Sequence, residues 1–261
     1  MGPPRRGAQW GRSPGLPLTD AMSYPAVAAS CAATRACALE ASGFFLAWQG
    51  VLVLTFTGWP PPLARLKQEL NESQGLQAEG AGSRWPKCTL AATRDGAPPL
   101  TLAQLSDLRA LCFEHSAALR CLAAGARSLP VSALGLCTYQ WRCLEAAGAP
   151  QVQAMPLAEP VDPSPPTEAE AARVAATLGE WEGDLLAQYL DGANRAGSRL
   201  SSYREASPPG ATLVAFLGGA WLRGALEGFA GAVEALLPGR FAFLQPSSLC
   251  EGYSGETNTA R

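Results

Sequence analysis

The chain has 261 residues, of which 48% are hydrophobic and 16% charged, a balance typical of a globular protein with one sizeable core or two small lobes. Its formal net charge of -2 argues against a strongly electrostatic nucleic-acid binder, although a local basic groove is compatible with that charge. We therefore expect no DNA partner.

The cysteines are spread along the chain and include no Cys-x-x-Cys pair. Several of them, such as Cys88 and Cys112, fall at apolar positions of predicted elements, where a reduced cysteine acts as a small hydrophobic residue. Because His115 is also the only histidine, the sequence predicts neither a metal site nor a cofactor. The thiols indicate a reducing compartment, and we expect a cytoplasmic protein.

Residues 1–42 are predicted to form a disordered leader. The first 39 residues are rich in alanine and proline and carry four arginines against a single acid, Asp20. A mitochondrial transit peptide has a similar charge pattern, so a mitochondrial location is the alternative.

An apolar run extends from Gly43 to Gly58 and is interrupted by Gln49. It is shorter than the about 20 residues that a membrane-spanning helix needs, and we expect no membrane association. Its β-branched and aromatic residues favour a buried strand over residues 51–57. Three prolines, 60–62, then open a helix in which leucines recur at helical spacing.

The stretch SRWPKCTLAATRDG, residues 83–96, predicts a second strand and its exit turn. Thr101 and Gln104 form a capping box at the start of a helix with a leucine stripe. Residues 130–145 predict another strand. Residues 146–166 are rich in proline and acids and predict a linker.

A second capping box, Thr167 with Glu170, starts a helix predicted to reach about residue 194. A buried strand is predicted over residues 211–219, followed by an amphipathic helix that Pro238 and Gly239 close. The last predicted strand covers residues 240–249, and the polar residues 251–261 predict a disordered tail.

The strand, glycine, helix and strand that begin at Val51 are repeated in the same order from Thr212. Such a repeat predicts an α+β fold of two pseudo-repeated strand-helix-strand lobes, with mixed or antiparallel sheets around a shared groove. We expect a single bilobal domain over residues 43–250, with lobes at about 43–145 and 167–250.

This pattern resembles the two-histidine phosphoesterases, the family of cyclic phosphodiesterases and RNA 2′-5′ ligase-like proteins. In that family each half carries a His-x-Thr/Ser strand, in which the histidines act as base and acid and the hydroxyls hold phosphate. In this chain Lys87 stands at the first histidine position and Thr89 at its hydroxyl position. In the second half Cys250 stands where histidine would be, and Gly252 provides no hydroxyl.

The resemblance implies a phosphate site without the catalytic histidines, and we assign no catalytic residue. A lysine has a pKa of about 10.4 and would need one near 7 to act as a base. The surrounding sequence contains no feature expected to lower the pKa of Lys87 by that amount. A charged Lys87 would instead bind an anion, with Thr89 donating a hydrogen bond. The predicted ligand-binding residues are Lys87, Thr89, Arg94, Arg199 and Arg204, while Cys250 has no assigned role.

The sequence leaves three functions open. The first is a catalytically degenerate phosphoesterase-like protein that binds a nucleotide or RNA in the interlobe groove. The second is a protein-interaction module without a small ligand, in which Trp59, Trp85, Trp181 and Trp221 contact a protein partner if they are exposed together. The third is an active phosphodiesterase whose chemistry lies in a differently ended form of the chain.

Overall fold

The computed structural model describes residues 23–47, 50–72, 85–123, 125–139, 151–182, 186–194, 199–204 and 210–244. The helices within these ranges are α1 (Ser23–Ala33), α2 (Pro61–Glu72), α3 (Leu102–Arg120), α4 (Glu168–Glu182), α5 (Leu186–Ala193), α6 (Leu200–Arg204) and α7 (Ala220–Leu236). The strands are β1 (Cys37–Leu46), β2 (Leu52–Phe56), β3 (Lys87–Thr93), β4 (Ser128–Val131), β5 (Ala133–Tyr139), β6 (Gln151–Pro156), β7 (Gly210–Val214) and β8 (Phe241–Phe243).

The strands form two sheets. The larger sheet has five strands in the order β4-β1-β2-β3-β8, and the smaller has three in the order β6-β5-β7. Neighbouring strands are antiparallel in both sheets. The structure therefore confirms a mixed α+β fold with antiparallel sheets.

The apolar run from Gly43 to Gly58 forms a hairpin instead of a single strand. Its first half belongs to β1 and its second half is β2, the buried strand that the sequence predicts. Between them Gly50 takes a φ of 78°, a conformation that favours glycine, and the amide of Ala47 donates to the carbonyl of Val51. No helix that the structure describes has the length and hydrophobicity needed to span a bilayer.

Helix α3 packs against β1 through the leucine stripe predicted from the sequence. Leu105 and Leu108 are fully buried on this face, whereas Leu102, the first leucine of the predicted stripe, is exposed. The capping box is also confirmed, because the amide of Gln104 donates to the Thr101 hydroxyl while the Gln104 side chain accepts from the Thr101 amide.

Two segments predicted to be irregular contain regular structure. Residues 23–42 of the predicted leader form α1 and the first part of β1, because Val27, Cys31 and Cys37 are buried in the core. Within the predicted linker, residues 151–156 form β6, which pairs with β5 and buries Met155. In both segments long-range packing outweighs a composition that is poor in strand signals.

The long helix predicted from residue 167 to about 194 is described as two helices, α4 and α5. The amide of Glu170 donates to the Thr167 hydroxyl, which agrees with the predicted cap. Residues 1–22, 140–150 and 245–261 lie outside the described part of the chain, and with them the first part of the predicted leader, the predicted tail and Cys250.

The two predicted halves differ in how their strands pair. In the first half β2 and β3 are neighbours in the larger sheet, whereas in the second half β7 belongs to the smaller sheet and β8 to the larger. The last strands of the halves nevertheless meet, because β3 pairs with β8 through Ala91↔Phe243 and Thr93↔Phe241. The pseudo-repeat and its shared groove stay hypotheses.

Candidate ligand-binding site

Lys87 and Thr89 lie on one face of β3. Lys87 is opposite Thr55 of β2 and Thr89 is opposite Val53, and side chains two positions apart on a strand share a face. Both residues are half-buried, whereas Leu90 after them is buried. The structure thus places Lys87 and Thr89 together, and both residues are partly exposed.

Trp85 lies beside Lys87. The Lys87 Nζ is 4.6 Å from the centre of the Trp85 ring, within the about 6 Å over which an ammonium group is attracted to an aromatic face. The ring of Trp85 is edge-on to Phe45, with 6.5 Å between centroids. Its indole Nε1 is buried and has no hydrogen-bond partner in the described part of the chain. A buried donor without a partner is rare and marks a place that a ligand oxygen or a water can fill.

Two more such donors are found where β2 ends. The Thr57 Oγ1 and the Trp59 Nε1 are both buried, and neither has a hydrogen-bond partner within the described ranges. The amide of Phe56 donates to the carbonyl of Pro86 at 3.3 Å. Thr57 is the next residue after Phe56, and Trp85 is the residue before Pro86, so this hydrogen bond joins the two segments that carry Thr57 and Trp85. We call Thr57, Trp85, Lys87 and Thr89 the Lys87 surface.

An aromatic cluster supports this surface from the core. Phe45 is edge-on to Trp181, with centroids 5.4 Å apart, and to Tyr189 at 6.0 Å. Trp181 and Tyr189 also contact each other at 4.9 Å, and all three rings are buried. Because rings packed in this way have little freedom, Trp85 rests on a rigid base.

Arg94 and Arg199 meet at the other end of β3. A parallel bridge joins Thr93 to Arg199, and the Arg199 Nη1 donates to the carbonyls of Arg94 at 3.0 Å and Ala97 at 2.8 Å. The Arg94 Nε donates to the carbonyl of Phe241 at 3.1 Å. The two predicted arginines are therefore neighbours, and each uses part of its guanidinium to hold the main chain.

Asp95 is the carboxylate at this end of the strand. It accepts hydrogen bonds from the Ser201 hydroxyl at 2.6 Å and from the Ser201 amide at 3.1 Å. The hydrogen bond from the Ser201 side chain is the main cause that holds the pKa of Asp95 below its usual value, and the charge of Arg199 acts in the same direction. These contacts fasten α6 to the turn after β3.

Arg240, just before β8, completes the group of arginines and was not predicted from the sequence. Its side chain is buried, with a relative exposure of 5%, and its Nη1 donates to the carbonyl of Pro98. Its Nε and Nη2 are buried, and no residue that the structure describes accepts a hydrogen bond from them. Burial lowers the pKa of Arg240, and the charge of Arg199 lowers it further. No local sequence signal marks this residue, because its contacts are with a turn far away in the chain.

The predicted ligand-binding residues thus fall into two groups. Arg94 lies five positions after Thr89, a separation of about 17 Å for an extended chain. Arg204 is exposed at the end of α6, the helix that begins directly after Arg199. The structure brings Lys87 together with Thr89, and Arg94 with Arg199, but it does not gather all five residues around one phosphate group.

The single histidine belongs to helix α3 and not to strand β3. His115 is on α3, where its ring is edge-on to Phe44 at 6.1 Å and to Phe229 at 5.4 Å. Within the described ranges no group of three or more His, Cys, Asp or Glu residues is arranged to hold a metal ion. The cysteines in these ranges are free thiols, namely Cys31, Cys37, Cys88, Cys112, Cys121 and Cys137.

The fold and this site define an α+β protein with antiparallel sheets, in which strand β3 of the larger sheet carries a lysine surface at one end and an arginine group at the other. Comparison of the chain with protein-family models, curated proteins and solved structures finds no significant match.

Proposed function

We propose that the protein binds a phosphate-containing ligand, a nucleotide or RNA, in a groove at the Lys87 surface. The observation that supports this proposal most directly is the pairing of Lys87 and Thr89 on one half-exposed strand face, beside the ring of Trp85. An ammonium group and a hydroxyl group on one face suit a phosphate, since both donate to its oxygens.

The aromatic surroundings favour a nucleotide over a bare phosphate. Bases stack on aromatic side chains, and this contact does not depend on base identity. Trp85 is half-buried, so part of this residue is exposed to solvent. The unpartnered Nε1 of Trp85 and Oγ1 of Thr57 add donors for the base or the ribose.

We propose that binding occurs without two-histidine catalysis. The family that this chain resembles needs a histidine in each half as acid and base. The chain has one histidine, His115, and its ring packs against Phe44 and Phe229 on α3. Lys87 stands in the first histidine position as a cation that binds the anion.

The test is a titration of the full chain with adenosine monophosphate and with a short oligoadenylate RNA, followed by tryptophan fluorescence and calorimetry. We expect saturable binding to at least one of them. Lys87→Ala raises the Kd about tenfold or more, because a charged hydrogen bond contributes about 1.5–3 kcal/mol. Thr89→Val weakens binding by a smaller factor.

The matched control is Lys67→Ala. The Lys67 Nζ also lies over a tryptophan, at 5.6 Å from the Trp59 ring, but Lys67 is on α2 and outside the strand face. We expect this variant to bind as the native protein does. Absence of binding to either ligand, or equal affinities of the Lys87→Ala variant and the native protein, would contradict the proposal.

The same preparations separate binding from catalysis. We expect no hydrolysis of a 2′,3′-cyclic nucleotide above the rate in buffer. Turnover that Lys87→Ala abolishes would instead identify the chain as an active phosphodiesterase.

The alternative of a protein-interaction module depends on tryptophans exposed together. Trp181 is buried in the aromatic cluster with a relative exposure of 1%, and Trp59, Trp85 and Trp221 are only half-exposed. This distribution gives the alternative no specific support.

A further inference from the structure

Three arginines surround the turn that follows β3, and they form a gradient of burial. Arg94 is exposed, Arg199 is half-buried and Arg240 is buried. All three donate to main-chain carbonyls in or near this turn, those of Phe241, Ala97 and Pro98 among them. Their guanidinium groups therefore extend from the solvent into the interior around one short segment.

The charge of this cluster is not balanced by ion pairs. In the part of the chain that the structure describes, none of the three arginines forms a salt bridge with a carboxylate. Asp95 is nearby, but its hydrogen bonds are with Ser201. Among the described residues, the three positive charges thus lie near the carboxylate of Asp95, which is engaged by Ser201.

Arg240 is the residue that needs an explanation. Its Nε and Nη2 lie on the same edge of the guanidinium, and both are buried without a hydrogen-bond partner among the residues that the structure describes. Burying a charged group without partners is costly, and the like charge of Arg199 makes it more so. A bound ion is one of the few arrangements that satisfies such an edge.

We propose that Arg94, Arg199 and Arg240 form a binding site for an oxyanion of the phosphate class. The free Nε–Nη2 edge of Arg240 is the anchor, because two parallel N–H groups match two oxygens of a phosphate. Arg199 faces the anion from the half-buried side, and the exposed Arg94 marks its entrance. The ion is free phosphate or the terminal phosphate of a larger molecule. This site lies at the opposite end of β3 from the Lys87 surface and does not depend on the proposed function.

The experiment is a calorimetric titration of the full chain with inorganic phosphate in chloride buffer. We expect saturable binding and a phosphate-dependent rise in Tm, since a ligand that binds the folded state stabilises it. Arg199→Gln raises the Kd about tenfold or more by removing a charged donor. Arg240→Lys keeps the charge but loses the forked edge, and it weakens binding by a similar factor.

A second titration with phenyl phosphate identifies the source of the ion. Binding as tight as that of inorganic phosphate supports a terminal phosphate of a larger ligand, whereas weaker binding supports the free ion. Either result is consistent with the site, because both ligands present the same oxygens.

Two control variants test whether cationic residues outside this site contribute to phosphate binding. Arg120→Gln removes an exposed arginine that also donates to a carbonyl, that of Ser42 at 3.4 Å, and we expect unchanged phosphate binding. Lys87→Ala is expected to leave phosphate binding unchanged too, although it weakens nucleotide binding.

The proposal is overturned if the native chain shows no saturable phosphate binding, or if Arg199→Gln binds phosphate as tightly as the native chain. It is also overturned if Lys87→Ala loses phosphate while Arg199→Gln retains it, because the ion then lies at the Lys87 surface. If Arg240→Lys does not fold, the comparison of phosphate affinity between Arg199→Gln and the native chain tests the proposal.

Discussion

The hydroxyl of Ser116 on α3 accepts a hydrogen bond from the backbone amide of Phe44 on β1, at 2.8 Å. The same hydroxyl lies 2.6 Å from the carbonyl of Cys112 one turn earlier, to which it donates. A Cβ on Gly43 would lie 2.5 Å from the Ser116 Oγ. The helix approaches the strand this closely because residue 43 has no side chain.

Gly43→Ala is therefore expected to destabilise the protein. The new methyl group would overlap the Ser116 side chain in the core, and overpacking of this kind costs about 1–3 kcal/mol. Thermal or urea unfolding measures the change. Gly228→Ala in α7 is the control, because a Cβ there meets nothing within 4 Å, and alanine favours a helix by about 0.5–1 kcal/mol. A Gly43→Ala protein as stable as the native one would contradict the close approach.

Ser116→Ala is expected to remove the acceptor for the Phe44 amide. A buried donor left unpaired costs about 1–3 kcal/mol, so stability falls and the Phe44 amide exchanges its hydrogen faster. Hydrogen exchange followed by NMR reports this residue directly. Thr177→Ala removes a similar bond to the carbonyl four residues earlier, but on the exposed side of α4, and should change stability little. Unchanged exchange at Phe44 would count against the bond.

The stability of the fold should decrease as the pH rises from about 9 to about 11, because burial raises the pKa of Cys137 from its usual 9.0 to about 11. In this range the unfolded thiol loses its proton while the folded thiol keeps it, so the unfolded state gains stability. Unfolding titrations across this pH range measure the slope. Cys137→Ala should reduce this slope and leave the part due to Cys37, whose pKa burial also raises to about 11, whereas Cys121→Ala, at an exposed thiol, should leave the slope unchanged. Equal slopes in the Cys137→Ala and native proteins would exclude this source of pH dependence.

Asp95→Asn is expected to loosen α6 from the turn after β3. The Ser201 hydrogen bonds lower the pKa of Asp95 below its usual 3.8, so the stabilisation is complete above that pH and is lost as the pH falls through the folded-state value. Amide exchange at Ser201 should therefore become faster at low pH in the native chain. In the Asn variant it should be fast at every pH. Asp107→Asn, at an exposed position of α3, is the control.

Part of the candidate site follows from spacing alone. Lys87 and Thr89 share a face because side chains alternate along a strand, and this alternation is a property of the local backbone. The separation of these residues from Arg94 follows from the same geometry. In contrast, the meeting of Arg94 with Arg199 depends on where α6 returns to β3, which no local pattern determines.

Local signals in the sequence determined the elements whose causes are local: the capping box of α3, the leucine stripe of that helix, the buried strand β2 and the α+β class. Only the tertiary structure decided that α1 and β6 are ordered, that β7 and β8 belong to different sheets, and that Arg240 is buried against Pro98. The physical reason is the range of the interactions. Capping and periodicity act within a few residues, whereas burial and sheet pairing depend on surfaces supplied by distant parts of the chain.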